Sequence, residues 1–151
     1  MSKINYITGD ATQPQENGKK VIAHVCNDIG KWGAGFVIAL SKKWKEPETR
    51  YRSTPVDSLK LGLVQFIRVQ EEIIVANMVA QHGVRSNDNK QPLKYDALMI
   101  ALKEVNDFCE KEECTLHMPK IGAGLAGGDW SIIKDIIEDN VQVPVYIYLF
   151  D

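Results

Sequence analysis

Apolar positions recur along the chain in two rhythms, and the rhythm separates strands from helices. Residues 3–8, with INYIT, alternate in character and predict a short strand that stops at Gly9-Asp10. Residues 10–20 are polar, contain Pro14 and Gly18, and predict a loop. The run KVIAHV over 20–25 is almost continuously apolar, as suits a strand buried on both faces. Gly30, Gly33 and Gly35 then punctuate a turn. Phe36, Leu40 and Trp44 follow at helical spacing and predict a helix over 36–44, which Pro47 breaks before a second short helix over 48–52. Two strands, 63–69 and 73–79, are separated only by Gln70-Glu71-Glu72 and predict an antiparallel hairpin. Residues 83–91 read as a polar loop, and the longest helical pattern spans 92–112 with Leu98, Leu102, Val105 and Cys109 facing inward. A strand over 115–118, a helix over 130–138 through Trp130, Ile133 and Ile137, and a strand over 143–150 complete the set. Strands alternating with helices predict an α/β fold, a three-layer α/β/α sandwich around a mixed central sheet of about six strands.

Composition puts these elements into one domain over residues 1–151, because 44% apolar and 25% charged residues match a globular unit of this length. A net charge of −2 excludes a protein held to a duplex mainly by phosphate neutralisation. It leaves room for a small anion held by backbone amides, which needs no positive surplus. Three cysteines without framework spacing, and no basic-then-apolar leader over residues 1–11, predict a reducing, cytoplasmic setting. No segment approaches the ~20 apolar residues of a bilayer span, so no membrane partner is expected.

The chemistry starts from a recurrence. One apolar strand runs into WGAGF and a helix, and a second, TLHM, runs into IGAGLAGGDW and another helix. Glycine at a strand's carboxyl end lets the backbone turn tightly and approach a ligand without a Cβ in the way. Free N–H groups at the following helix start then hold an anion. Two such turns suit a diphosphate clamped between them. Residues 122–127 match GxGxxG, but that fingerprint belongs to a first strand–helix turn with an acidic residue ending the next strand. Here only one strand follows, and no GxxxxGK[ST] occurs, so neither a dinucleotide fold nor a P-loop is expected.

YITGDAT, then VIAHVCNDIGKWGAGFVIALSKKW, then MPKIGAGLAGGDW and a final VYIYLF resemble a macro domain over nearly the whole chain. The branch it resembles most contains the terminal ADP-ribose protein glycohydrolases and the ADP-ribose 1″-phosphate phosphatases. That resemblance implies a pocket for ADP-ribose or a derivative, with no cofactor, and hydrolysis of a bond at the distal ribose of ADP-ribose 1″-phosphate or of an ADP-ribosyl adduct on protein or nucleic acid. The alternative is a non-catalytic ADP-ribose-binding module. A nucleotide-binding α/β protein outside the family is a third reading.

By the same resemblance Asp10 faces the adenine amine, with the Ala11 backbone beside it. Asn27 faces the distal ribose, where an amide offers a diol both a donor and an acceptor. Gly33, Ala34, Gly35 and Phe36 form the first loop over ribose and diphosphate. Gly122, Ala123, Gly124, Leu125 and Ala126 form the second. Gln81 ends the fourth strand beside these loops, and Phe150 stacks on the adenine or closes the pocket. Three plainer readings stand beside these: Asp10 as an Asx turn, Asn27 as a turn-former, and Phe150 as a strand aromatic in the core.

His24 and Cys26, two apart on one strand face, suggest a metal site or a nucleophile. No further ligands stand at metal spacing, so no metal is expected. A thiol nucleophile needs a base beside the sulfur and not merely on the same strand, so the plainer reading packs His24 and Cys26 under the ligand loop. Beside it, His24 is the catalytic candidate, as a proton donor or a water orienter, with Asn27 positioning the water. The glycohydrolase branch carries a lysine near the end of the fourth strand and an aspartate after the IGxGL block. Here those places read Val79-Ala80-Gln81-His82 and Ala126. Both departures argue against a covalent lysine mechanism, and Asp129 reads instead as a helix N-cap.

Overall fold

A computed structural model describes residues 4–150, with every side chain there except that of Leu125. The strands are β1 (Ile4–Thr8), β2 (Lys20–Asn27), β3 (Val64–Gln70), β4 (Ile73–Gln81), β5 (Thr115–Pro119) and β6 (Val145–Leu149). The helices are α1 (Phe36–Lys43), α2 (Glu46–Arg52), α3 (Tyr95–Glu112) and α4 (Trp130–Asn140). One six-stranded sheet has the order β1-β6-β5-β2-β4-β3. The β3–β4 hairpin is antiparallel and every other neighbouring pair is parallel, so the sheet is mixed as predicted.

Each face of the sheet has its own core. Val21 and Ala23 of β2 join Leu98, Leu102, Val105, Ile133 and Ile137 on the α3–α4 side. Ile22 and Cys26 join Val37, Leu40, Trp44 and Tyr51 on the α1–α2 side. Burial on both faces explains why β2 and β4 are mostly apolar, interrupted within by His24 and Asn77. The inward stripe of α3 is as expected, with Leu98, Leu102, Val105 and Cys109 all fully buried.

Three expected details are different. The buried stripe of α1 is Val37, Leu40 and Ser41, continued by Trp44 just past the helix, while Phe36 at the first position is only partly buried. As the first residue of the helix, Phe36 packs against this core from its margin and keeps part of its surface free. Helix α2 begins at Glu46, two residues early, because Pro47 sits in its first turn, where a missing N–H breaks no helical bond. Helix α3 begins at Tyr95, because residues 92–94 are extended beside β4. There His82 N donates to the Pro92 carbonyl (2.9 Å) and Lys94 N to the Ala80 carbonyl (2.8 Å).

Strand β2 leads through α1 and α2 to the β3–β4 edge, whereas its neighbour β5 leads through α4 to β6 on the other side. Adjacent strands that send their chains in opposite directions leave a crevice at their carboxyl ends. Both glycine turns lie there.

Candidate functional site

The crevice holds a groove of three chambers. The first, about 310 Å³, is bounded by Asp10 and Ala11 after β1, by Gly35, Phe36 and Ala39, and by Tyr148 and Phe150. The second, about 200 Å³, shares Gly35, Phe36 and Pro119 with the first and adds His24, Gln81, Gly122, Ala123 and Ala126. The third, about 350 Å³, shares Val25, Ala34, Val37 and Gln81 with the second and reaches Asn27, Trp32, Gly33 and Arg85. These shared walls set the three chambers side by side across the ends of β1, β5, β2 and β4.

At the first end, Asp10 Oδ1 accepts from the Thr12 amide and hydroxyl, each at 2.8 Å, so Asp10 does form the Asx turn. The same carboxylate borders the chamber. Phe150 is 79% exposed, which removes it from the core and leaves it at the chamber mouth. The Tyr148 hydroxyl accepts from Gln15 N (3.0 Å) and lies 2.8 Å from His117 Nδ1, which pins the chamber floor to the sheet.

At the far end Asn27 is engaged by its own loop. Its Nδ2 donates to the Lys31 carbonyl (2.7 Å), and its Oδ1 accepts from the amides of Ile29 and Lys31, both at 3.1 Å. The Tyr51 hydroxyl closes the set, 2.6 Å from the Asn27 carbonyl and 2.8 Å from Oδ1. Asn27 is 7% exposed, so what it presents to the groove is a rigid shoulder. A bulge places Asn27 opposite Gln81 instead of Ala80, bringing Gln81 into both the second and third chambers. Trp32 packs beneath this loop with its Nε1 donating to Ser41 Oγ (2.8 Å).

His24 lies under the first glycine loop, 2% exposed, with its ring edge-on to Trp32 at 5.3 Å. Its Nε2 is 2.6 Å from Asn77 Oδ1, an atom that can only accept, so Nε2 carries the hydrogen. Asn77 in turn donates to the Pro47 carbonyl and to Gln65 Oε1. Burial lowers the His24 pKa to about 4, outweighing the opposing effect of the hydrogen bond that His24 gives to Asn77. A neutral imidazole of that kind is a poor general acid near pH 7, because its one remaining proton is the weakly acidic Nε2–H held by Asn77. Cys26 Sγ is 4.0 Å from the His24 ring nitrogens, and burial pushes its thiol far above the usual range, so it is no nucleophile at neutral pH.

The second glycine loop is shaped by backbone bonds. Gly128 N donates to the Gly122 carbonyl (2.7 Å), Gly127 N to the Gly124 carbonyl (3.0 Å) and Leu93 N to the Ala126 carbonyl (3.2 Å). Gly122, Gly124 and Gly127 all take positive φ, between 61° and 74°. Leu125 lies in the same turn, and its side chain falls outside the described residues. Asp129 caps α4, Oδ1 accepting from Ser131 N at 2.9 Å. Among the described residues no three His, Cys, Asp or Glu side chains gather as a metal ion would need.

No family model matches the chain. A solved macrodomain protein from Streptomyces coelicolor superposes with a TM-score of 0.84 at 41% identity, over 97% of this chain and 99% of that one. The chain belongs to the macrodomain family. Among curated proteins, this macrodomain is 31% identical over 162 residues to mouse chromodomain-helicase-DNA-binding protein 1-like, matching 99% of its own length but only 18% of that protein's. It is 29% identical over 154 residues to the ADP-ribose 1″-phosphate phosphatase of Candida albicans, over 95% of its own length and 99% of the phosphatase.

Sequence reasoning passed over several residues that wall this macrodomain's groove: Lys31, Ala39, Val84, Arg85, Lys120 and Tyr148. Arg85 sits inside a polar loop with no periodicity to single it out. Its position four residues beyond the carboxyl end of β4 was the one available signal.

Proposed function

We propose that this macrodomain binds ADP-ribose along the groove and hydrolyses ADP-ribose 1″-phosphate. The observation that carries the reading is the order of the three chambers. A carboxylate and an exposed aromatic stand at one end, two glycine loops face each other over the middle, and polar and cationic groups stand at the other. Adenine fits between Asp10, Ala11 and Phe150. The diphosphate fits between Gly33–Phe36 and Gly122–Ala126, where backbone N–H groups face an anion without a Cβ between. The distal ribose then reaches Asn27 and Gln81. The end-to-end match with a phosphatase of that name supports the choice of substrate.

The chemistry follows from what the site lacks. Val79-Ala80-Gln81-His82 holds no lysine near the strand end where the glycohydrolase branch carries one, Ala126 stands in place of its aspartate, and the Cys26 thiol stays protonated. Water is therefore the nucleophile. It attacks phosphorus, the bond from phosphorus to the ribose 1″ oxygen breaks, and that oxygen keeps the electron pair and takes a proton from solvent. The products are ADP-ribose and inorganic phosphate. Loop amides would stabilise the developing charge. His24 and Asn27 act in this scheme by holding the loop rigid. An ADP-ribosyl adduct on a protein or nucleic acid attaches at the same ribose and is the second substrate class to assay. Three unbridged cysteines support a cytoplasmic setting.

A non-catalytic binding module is the second reading, favoured by the engaged Asn27 amide and the neutral His24. Calorimetry with ADP-ribose, against ADP, comes first. Affinity at least tenfold tighter for ADP-ribose means that the distal ribose contributes about 1.4 kcal/mol or more. Phosphate release from ADP-ribose 1″-phosphate then establishes the enzyme, and binding without release establishes the module. Equal affinity for ADP and ADP-ribose would remove both readings.

A further inference from the structure

We propose that Arg85 reads the phosphate carried by the distal ribose and so sets the preference for ADP-ribose 1″-phosphate over ADP-ribose. The inference rests on the reading of the groove given above and names the residue that completes its third chamber.

Arg85 borders that chamber together with Asn27, Gly33, Ala34 and Gln81. Its Nη1 donates to the Gly124 carbonyl at 3.1 Å, which hooks the side chain onto the second glycine loop. No carboxylate pairs with it, and its other N–H donors take no acceptor among the described residues. A guanidinium fixed along one edge and free along the others is suited to two parallel bonds with phosphate oxygens. The remaining polar groups of the chamber are less suited: the Asn27 amide is already engaged, the Gln81 amide carries no charge, and the Lys31 ammonium offers a point charge without a fork.

The loop that carries Arg85 is built to hold it. Asp28 Oδ2 accepts from His82 Nδ1 and Oδ1 from Gly83 N, both at 2.8 Å. Burial works against the Asp28 carboxylate, but these bonds still hold its pKa below the usual range. Ser86 and Asn89 exchange backbone bonds, and Asn89 Nδ2 donates to the His82 carbonyl at 2.8 Å. The segment from 82 to 89 is thus a closed turn, anchored on the β2 end beside Asn27.

Arg85→Ala and Arg85→Lys test the assignment, with KM for ADP-ribose 1″-phosphate where it is turned over and Kd where it is not. Kd for ADP-ribose is measured beside each. We expect Arg85→Ala to weaken the 1″-phosphate about tenfold or more beyond any loss in ADP-ribose, and Arg85→Lys to recover part of that difference. Equal weakening of both ligands would overturn the proposal, because Arg85 would then serve only to hold the Gly124 loop. No change in either would overturn it as well. If the unaltered protein binds ADP-ribose but favours its 1″-phosphate no better, this inference falls and the groove assignment stands. If it binds neither, both fall together.

Discussion

Glycine serves two purposes in this groove, and single substitutions separate them. Gly127 has φ +74°, and a Cβ there would overlap the Lys90 carbonyl oxygen, which is backbone and cannot swing away. Gly33 has ordinary φ, and a Cβ there would meet nothing within 4 Å among the described residues, so its lack of a side chain answers to no described neighbour. Gly127→Ala should therefore cost on the order of 3 kcal/mol of stability in urea unfolding. Gly33→Ala should stay within about 0.5 kcal/mol, yet weaken ADP-ribose in calorimetry because the new methyl stands where the ligand approaches. Unchanged ADP-ribose affinity in Gly33→Ala would mean that the first loop does not touch the ligand. The glycine pattern was legible in the sequence because glycine stands out at either kind of position, but which kind was not. Asn27 is a similar case: its residue type suits a sugar, and only the three-dimensional loop reveals Lys31 and the Tyr51 hydroxyl as its partners.

Helix α2 is short, but it braces the site from behind. Tyr51 is fully buried and reaches the end of β2 through its hydroxyl, while the Pro47 carbonyl accepts from Asn77, the residue that holds His24. Tyr51→Phe removes the brace and keeps the ring. It should cost about 1 kcal/mol and weaken ADP-ribose severalfold by freeing the 27–31 loop, with calorimetry and urea unfolding as the readouts. Loss of stability with unchanged affinity would show that the loop stands without its brace. The strands and the inward face of α3 could be read beforehand because each obeys a local period, as Leu98, Leu102, Val105 and Cys109 do. The entry to α3 could not, because residues 92–94 are held by backbone bonds to β4 that no local pattern encodes. Phe36 serves two settings at once: at helical spacing to Leu40 it packs against the α1-side core, and as the first residue of α1 it also borders the groove.

Across the whole molecule, two buried histidines tie the groove to the stability of the sheet. His24 stands on β2 against Asn77, and His117 stands on β5 within 2.8 Å of both Thr115 Oγ1 and the Tyr148 hydroxyl. Burial lowers each pKa from about 6.5 to about 4, with Lys20 adding to the effect at His117. Above pH 6.5 both imidazoles are neutral whether the chain is folded or not, and folding carries no proton penalty. Between about 6.5 and 4 the unfolded chain binds protons that the folded chain refuses, so stability falls as pH falls. Below about 4 the folded form protonates too, and the histidine contribution levels off. Each histidine is worth on the order of 3 kcal/mol over that window. Urea unfolding should give a nearly constant free energy from pH 8 to 7, then a decline that steepens toward a slope of about two protons near pH 5. A free energy unchanged down to pH 5 would mean that these imidazoles protonate in the folded state without cost. The same titration bears on function, since His24 stays neutral throughout the range from pH 5.5 to 8. Any change in phosphate release across that range must then come from the substrate phosphate or from a group other than His24.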